Sequence, residues 1–393
     1  MPHEILSEAK RIQPWLVDVR RDFHRHPEFG MEEFRTQEKI ITYLTEMGIP
    51  CKKIANTGVV GFIKGVKPGK TIALRADMDA LPIDEQNDVD YKSTIPGKMH
   101  ACGHDAHMTV LLGAAKLLQV HRDELQGNVK LMFQPAEETV GGAEPMIAEG
   151  VLEDPKVDAS FGLHMSTGIP TGKIGVIYDQ MNASSDSIKL TIKGAKGHGA
   201  YPHNGRDAIV IAAHVITAMQ TIVSRNVDPR KAAVISLGTI SGGTQSNVIA
   251  DEVVINGTVR TLDPEVRELV IERVKEVLSF TTRSLGGDYD FEHHPGYVSL
   301  INDNKMVDIV KASGDELLGK ENVQWMDLPN MGVEDFAYFA AAVPSAFFQL
   351  GCRNEEKGII HGGHTSQFDI DEDSLSIGAA LQVQNVWKAL DTL

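Results

Sequence analysis

The spacing of apolar residues separates the first 185 residues into alternating helices and strands. Helical spacing of apolar side chains predicts helices at 4–26, 32–47, 106–120 and 143–149. Short apolar runs between turn residues predict strands at 59–63, 71–76, 129–133 and 159–163. Pro14 lies inside the first helix and can bend it. Strands that alternate with helices in this way predict an α/β sandwich with a largely parallel sheet.

The pattern changes at about residue 186. Amphipathic alternation and helical spacing now predict the order β-α-β-β-α-β, with elements at 187–193, 206–224, 233–240, 253–261, 264–285 and 288–291. This order is that of a ferredoxin-like α+β unit. Further helices are predicted at 303–318, 334–341 and 374–390, with a strand at 345–350. We therefore expect a catalytic domain formed by 1–185 and 297–393, and an inserted domain at 186–296.

Composition narrows the class of protein. A chain of 393 residues with 42% hydrophobic residues is typical of a two-domain globular protein. The net charge of −16 argues against nucleic acid or an anionic membrane as a partner. No apolar run is long enough for a membrane span, and the first residues show no signal peptide. The three cysteines are widely spaced, so we expect a reducing cytoplasm.

Candidate chemistry is concentrated in the segment MHACGHDAH at 99–107, which carries Cys102, His104 and two further histidines, His100 and His107. Thiolate, imidazole and carboxylate groups are the side chains that bind zinc and similar ions. Cys102 or His104 alone would be read as a buried thiol or a surface histidine. His100 and His107 could be ligands, ligand-supporting residues or surface groups, and we leave them out of the ligand set.

Two adjacent carboxylates, Glu137 and Glu138, follow the predicted strand at 129–133. Taken alone they could form a solvated acidic turn. Beside a cluster of metal-binding residues, they allow one glutamate to hold metal and the other to move protons. This combination predicts a metal centre at the strand end, where open α/β sheets bind ligands.

Other polar residues are ambiguous on sequence alone. His164 ends a predicted strand, and His364 lies in a glycine-flanked loop where His361 is the alternative. A lone histidine at such a position is more often structural than a metal ligand. His198 and His203 (in GHGAYPH), Asn247 in a polar loop, and Arg260 on a strand also have ordinary structural interpretations.

A family resemblance resolves much of this ambiguity. It is carried by eight ordered motifs: LRADMDALPI (74–83), MHACGHDAH (99–107), FQPAEE (133–138), GLH (162–164), GHGAYPH (197–203), GTVRTLD (257–263), MGVEDF (331–336) and HTSQFDIDE (364–372). Over essentially its whole length the chain resembles the metal-dependent aminoacylase–carboxypeptidase superfamily. It is most similar to the branch of hippurate hydrolases, N-acyl-L-amino-acid amidohydrolases, N-acetyl-diaminopimelate deacetylases and auxin–amino-acid conjugate hydrolases.

The resemblance implies a two-metal site. The implied ligands are Cys102, His104, Glu138, His164 and His364, with Cys102 bridging. Glu137 matches the general acid–base residue, and Asp79 matches the aspartate that orients a ligating group. Two residues depart from the wider pattern. Asp77 stands where other branches carry a metal-binding histidine, and Ser366 stands where proline is usual.

The resemblance also assigns roles in the inserted domain. His198 matches a histidine that reaches across a dimer to polarise the scissile carbonyl, while Asn247 and Arg260 match positions that hold the substrate's α-carboxylate. It therefore implies a homodimer, or a higher homo-oligomer, in which the partner completes each active site.

The implied reaction is metal-dependent hydrolysis of the amide bond of N-acyl amino acids. A thiolate ligand favours zinc, and members of the branch resemble enzymes that work with manganese, cobalt or nickel. The alternatives are a dipeptidase or carboxypeptidase on the same scaffold, and a non-catalytic protein that binds metal or amino-acid conjugates. The sequence names neither the acyl group nor the amino acid.

Overall fold

The computed structural model describes residues 2–393. Its helices are α1 (Pro2–Arg11), α2 (Gln13–Arg25), α3 (Phe34–Glu46), α4 (His104–Val120), α5 (Ala143–Ala148), α6 (Ala208–Asn226), α7 (Pro264–Ser284), α8 (Asn304–Leu317), α9 (Phe336–Ala342) and α10 (Asp373–Thr392). Its first eight strands are β1 (Cys51–Ile54), β2 (Gly58–Lys64), β3 (Lys70–Asp77), β4 (Gly127–Gln134), β5 (Ala159–Pro170), β6 (Ile174–Val176), β7 (Asp179–Asn182) and β8 (Ser184–Lys193). The others are β9 (Gly197–His198), β10 (Ala233–Gly242), β11 (Val248–Ile249), β12 (Glu252–Thr261), β13 (Asp288–Pro295), β14 (Leu300–Asn302), β15 (Val323–Trp325) and β16 (Ser345–Arg353).

The chain divides into two compact units. The first unit comprises Met1–Asp179, Ile301–Leu328 and Tyr338–Leu393. Its eight-stranded sheet has the order β1-β2-β4-β3-β5-β16-β6-β15. Nearly all residues of β3 and β4 are buried, as expected for strands at the centre of a sheet.

The prediction of a largely parallel sheet is corrected to a mixed sheet. The four central strands β4, β3, β5 and β16 are parallel. Towards one edge of the sheet, β2 is antiparallel to β4 and β1 is antiparallel to β2. Towards the other edge, β6 is antiparallel to β16. The hairpin of β1 and β2 was not predicted, because Lys52 and Lys53 give β1 the composition of an exposed loop.

The parallel centre positions the candidate chemistry. β3 and β4 run side by side, with Asp77 opposite Gln134 at their carboxyl ends. The acidic residues that follow both strands therefore emerge at one edge of the sheet, as expected for a ligand site of an open α/β sheet.

The second unit comprises Gln180–Leu300 and Pro329–Ala337. Its four-stranded sheet has the order β10-β12-β8-β13, and all of its strand pairs are antiparallel. Together with α6 and α7 the chain order is the predicted β-α-β-β-α-β. The predicted boundaries, 186 and 296, lie inside this unit, and its role as a dimerisation domain stays a prediction.

Two predicted elements differ in extent. The predicted helix 4–26 is broken at Ile12, with Pro14 in the first turn of α2, because proline fits the start of a helix and not its interior. The strand predicted at 159–163 continues to Pro170, so His164 lies within β5 and not at its end. The extension is polar, and its pairing with β16 holds it in the sheet.

Among the described residues one helix, Ala208–Asn226, is long and apolar enough to cross a membrane by length and composition alone. Its inward side chains, including Ile211, Val215 and Met219, belong to the hydrophobic core of the second unit. We interpret α6 as a core helix.

Candidate metal centre

The turn after β4 carries both candidate glutamates. The Asp79 carboxylate, which follows β3, accepts hydrogen bonds from the backbone N–H groups of Glu137 (3.0 Å) and Glu138 (2.9 Å). The residue before them, Ala136, has φ +58°, a conformation in which a side chain is strained. Backbone strain of this kind is common at functional sites.

Helix α4 begins with His104. Gly103, with φ +91°, precedes it and allows the sharp entry into the helix. His104 Nδ1 lies 3.2 Å from Asp79 Oδ1. His104 Nε2 lies 3.6 Å from Asp77 Oδ2 and 3.9 Å from Glu138 Oε1. Both ring nitrogens of His104 are buried, and neither makes a hydrogen bond of good geometry among the described residues.

Two further histidines approach the same place. His164 Nδ1 donates to the carbonyl of Met165 (2.7 Å), and its Nε2 lies 3.3 Å from Cys102 Sγ. His364 Nε2 lies 3.1 Å from Glu138 Oε1. His364 has φ +62°, so it too is a non-glycine residue in the left-handed region.

The structure thus brings all five predicted ligands together. Donor atoms within 4.8 Å of one another form the groups Cys102–His104–His164 and Cys102–Glu138–His364, together with His104–Glu137–Glu138. Cys102 belongs to the first two groups. Segments that are far apart in sequence therefore bring a thiol, three imidazoles and two carboxylates close together.

The electrostatics of this cluster favour a cation. Burial alone would lower the pKa of His104, but the carboxylates of Asp77, Asp79 and Glu138 raise it to about 10. Burial, with the Glu138 carboxylate beside it, raises the pKa of the Cys102 thiol well above its usual value. Three carboxylates, those of Asp77, Asp79 and Glu138, thus act on one imidazole. The donor set and the charge of the cluster therefore fit divalent metal ions.

His107 is close to the cluster, yet both of its nitrogens are engaged. Its Nε2 accepts from the Met165 N–H (2.9 Å), so Nδ1 carries the proton and donates to Asp77 Oδ1 (2.6 Å). Arg75 Nη1 donates to the other oxygen of Asp77 (2.8 Å). Burial lowers the pKa of His107 to about 4, so the ring is neutral. His107 is therefore a supporting residue, and sequence spacing could not show this because the pairing depends on the fold.

His100 has a different environment. It is 1% exposed, and neither ring nitrogen has a hydrogen-bond partner among the described residues. Burial lowers its pKa to about 3, so this ring is also neutral.

A buried charged network lies behind the first turn of α4, and sequence reasoning missed it. Asp105 Oδ2 accepts from Arg20 Nε (2.8 Å) and is 2.8 Å from His24 Nδ1. His24 Nε2 lies 3.2 Å from Glu85 Oε1, and Arg20 Nη2 donates to Asp369 Oδ1 (2.8 Å). The network ties α2 to the helix that begins with His104 and to the loop that follows His364.

Three predicted site residues belong to the second unit. His198 lies on β9 and is exposed, and its Nδ1 accepts from the Ala200 N–H (3.1 Å). Asn247 is exposed in the loop before β11. Arg260 lies on β12, and its Nη1 is buried without a hydrogen-bond partner among the described residues.

Comparison with known proteins identifies the family. The family described as peptidase family M20/M25/M40 matches residues 73–388, which is most of the chain. The chain belongs to this M20 family. A relative 40% identical to it is IAA-amino acid hydrolase ILR1-like 5 of Arabidopsis thaliana, aligned over 97% of this chain and 88% of the relative. Another is thermostable carboxypeptidase 2 of Saccharolobus solfataricus, 38% identical over 96% of this chain and 95% of the relative.

A solved M20 structure shares the fold. The Bacillus subtilis YXEP protein, described as a dinuclear metal-binding peptidase, superposes with a TM-score of 0.86 at 33% identity, covering 98% of this chain and 100% of that one. The resemblance seen in the motifs is thereby confirmed, and the chain is a hydrolase of the M20 family in its amidohydrolase branch.

Proposed function

We propose that this protein hydrolyses the amide bond of N-acyl amino acids and releases a carboxylic acid and a free amino acid. The observation that carries the proposal is the pair of ligand groups joined at Cys102, with Glu137 beside them. The Arabidopsis relative, named as a hydrolase of IAA–amino acids, supports this substrate class.

The five residues Cys102, His104, Glu138, His164 and His364 would hold two divalent ions. Support comes from their grouping and from the Bacillus subtilis relative that is described as dinuclear. Zinc suits the thiolate, with manganese, cobalt and nickel as alternatives. When bound, such ions polarise a carbonyl and lower the pKa of a water molecule.

The protein's own residues divide the remaining work. Glu137 takes the proton of the attacking water and passes it to the departing amine. Asp79 orients the His104 ring and fixes the backbone of both glutamates. Arg260 and Asn247 hold the α-carboxylate of the substrate, a role for which the buried, unpaired Nη1 of Arg260 is suited.

We propose a homodimer, or a higher homo-oligomer, formed through the second unit. Ile209 and Val210 on α6 are about half exposed, with relative accessibilities of 50% and 51%. Strand β10 is an unpaired edge of its sheet, and its Val234 and Ile240 are also exposed. An apolar helix face beside an open strand edge is a typical association surface. Three free cysteines, Cys51, Cys102 and Cys352, support a reducing, cytoplasmic location.

Peptide cleavage is the second candidate, because a carboxypeptidase is among the relatives. The deciding experiment measures amine release from N-acetyl, N-benzoyl and N-succinyl amino acids and from dipeptides. The protein is stripped with chelator and reloaded separately with zinc, manganese, cobalt or nickel. We expect no cleavage by the stripped protein and metal-restored cleavage of acyl amino acids. Cleavage of dipeptides alone would assign a peptidase, and a folded, metal-loaded protein that cleaves nothing would favour a binding function.

His198→Ala tests the contribution of the second unit. We expect kcat to fall by about 10²–10³-fold, the usual effect of removing one oriented donor to a developing oxyanion. His203→Ala is the matched control, because His203 lies in the same exposed segment. Steady-state kinetics are measured together with sedimentation, so that loss of the dimer is not mistaken for loss of the donor. Near-normal kcat in a dimeric His198→Ala protein would exclude the proposed role.

A further inference from the structure

The turn that carries the two glutamates is held through its backbone. The N–H groups of three consecutive residues, 136 to 138, all donate to carboxylates. Asp79 accepts from Glu137 and Glu138, and Glu33 Oε1 accepts from Ala136 (2.8 Å). Carboxylates that accept from backbone N–H groups form strong, directional hydrogen bonds. Two segments from different parts of the sequence thus fix one short turn.

The Glu33 side chain is buried and comes from a distant part of the sequence. It precedes α3, is 0% exposed, and reaches a residue 103 positions further along the chain. Its second oxygen accepts from Thr57 Oγ1 (2.5 Å). The same segment packs directly on the turn, since a Cβ added to Gly30 would lie 2.9 Å from Ala136 Cα.

The bond to Glu33 acts where the turn is strained. Ala136 adopts φ +58°, which an alanine rarely takes without support from its surroundings. A change of φ at this residue would swing the chain that follows it, including both glutamates. Asp79 restrains the N–H groups of Glu137 and Glu138, but the N–H of Ala136 itself is restrained by Glu33.

Burying this carboxyl has a cost. Burial raises the pKa of Glu33 to about 7, with hydrogen bonds from Thr57 and Ala136 opposing the shift. An apolar residue would fill the same space without that cost but would leave the N–H of Ala136 unpaired. The contacts with Ala136 and Thr57 together therefore account for a carboxyl at this position.

We propose that Glu33 is a positioning residue for Glu137 and Glu138: it holds Ala136 in the left-handed conformation and so aims both carboxylates. The inference rests on the proposed function insofar as it takes Glu137 as the proton-transferring group. Glu33 touches neither the substrate nor the candidate ligand atoms, and it acts only through the backbone of the turn.

Three variants separate positioning from general stability. Glu33→Ala should lower kcat by about 10–100-fold with little change in KM, the expected effect of slight misplacement of a catalytic group. Glu33→Gln should keep kcat near the wild-type value, because the amide oxygen of glutamine can accept from Ala136 and its amide nitrogen can donate to Thr57. Thr57→Val removes only the other bond of Glu33, so it should lose stability and keep kcat.

A readout without catalysis accompanies the kinetics. Hydrogen–deuterium exchange of the metal-free protein, followed by mass spectrometry, should be faster across 134–141 in Glu33→Ala and unchanged there in Thr57→Val. Should Glu33→Ala fail to fold, Glu33→Asp provides the comparison, because its shorter carboxylate cannot reach both partners.

The outcomes are distinct. Normal kcat and normal exchange in Glu33→Ala would overturn the proposal. A loss of kcat in Thr57→Val as large as that in Glu33→Ala would also overturn it. So would an equally large loss in Glu33→Gln. If the wild-type protein cleaves no acyl amino acid with any metal, the proposed function fails. Exchange across the turn then still decides whether Glu33 holds it.

Discussion

Glu137→Gln is expected to lower kcat by about 10²–10⁴-fold, the range that general acid–base catalysis contributes. Glutamine has nearly the same shape as glutamate but cannot take up a proton at neutral pH. The substitution keeps the hydrogen bond that the backbone N–H of residue 137 donates to Asp79. The turn should therefore keep its conformation, and the loss should appear in kcat while metal content stays at the wild-type level.

The neighbouring glutamate provides the matched control for this prediction. Glu138→Gln changes the same group one residue away, but Glu138 belongs to a ligand group with Cys102 and His364. We expect it to lower metal content, measured by elemental analysis after gel filtration, and to recover part of its activity at high metal concentration. Persistent turnover in Glu137→Gln, or equal metal loss in both variants, would contradict the division of roles.

Arg20→Met is expected to lower the free energy of unfolding of the first unit by about 3–5 kcal/mol, the usual cost of removing one partner of a buried charge pair. The Arg20 side chain is 0% exposed and lies against Asp105, Asp369 and Glu372. Burial alone would lower the pKa of Arg20, but these carboxylates raise it, so the guanidinium stays charged. Without it, Asp105 keeps only His24 as a cationic partner in the network.

Arg21→Met is the control, because Arg21 is the next residue and also pairs with Glu372. Its side chain is 30% exposed, so we expect a loss of about 1 kcal/mol or less. Urea unfolding followed by tryptophan fluorescence suits this comparison, since Trp15, Trp325 and Trp387 all lie in the first unit. Chelator is included so that metal binding does not stabilise the folded state. Equal losses in the two variants would show that the buried network contributes little.

Much of the candidate site could be predicted because its residues lie in distinctive local patterns. Cys102, His104 and the two glutamates occur in dense clusters of metal-binding side chains next to apolar strands, and such clusters are rare by chance. The α/β alternation followed from apolar periodicity, which reports burial directly. These signals are local in sequence, so the sequence alone carries them.

The supporting residues could not be predicted, because their roles depend on pairings that form only in the folded chain. Arg20 and Glu33 are charged residues in or beside amphipathic helices, where a charge is normally assigned to the surface. His107 lies in the same motif as Cys102 and His104, and its hydrogen bonds with Asp77 and Met165 form only in the folded chain. The antiparallel margins of the sheet were missed for a related reason, since β1 is polar and short.

The pairing of β5 with β16 has a consequence for the way the protein is made. In these adjacent parallel strands His164 lies opposite Gln349. In the sequence, the contiguous stretch of the second unit, Gln180–Leu300, lies between the two strands. During synthesis that stretch leaves the ribosome complete, while β5 has β3 on one side and still lacks β16 on the other. The second unit can therefore fold first, and the central sheet closes only after a long intervening segment has been ordered. Because His364 is made later still, the ligand cluster is among the last features of the nascent chain to assemble.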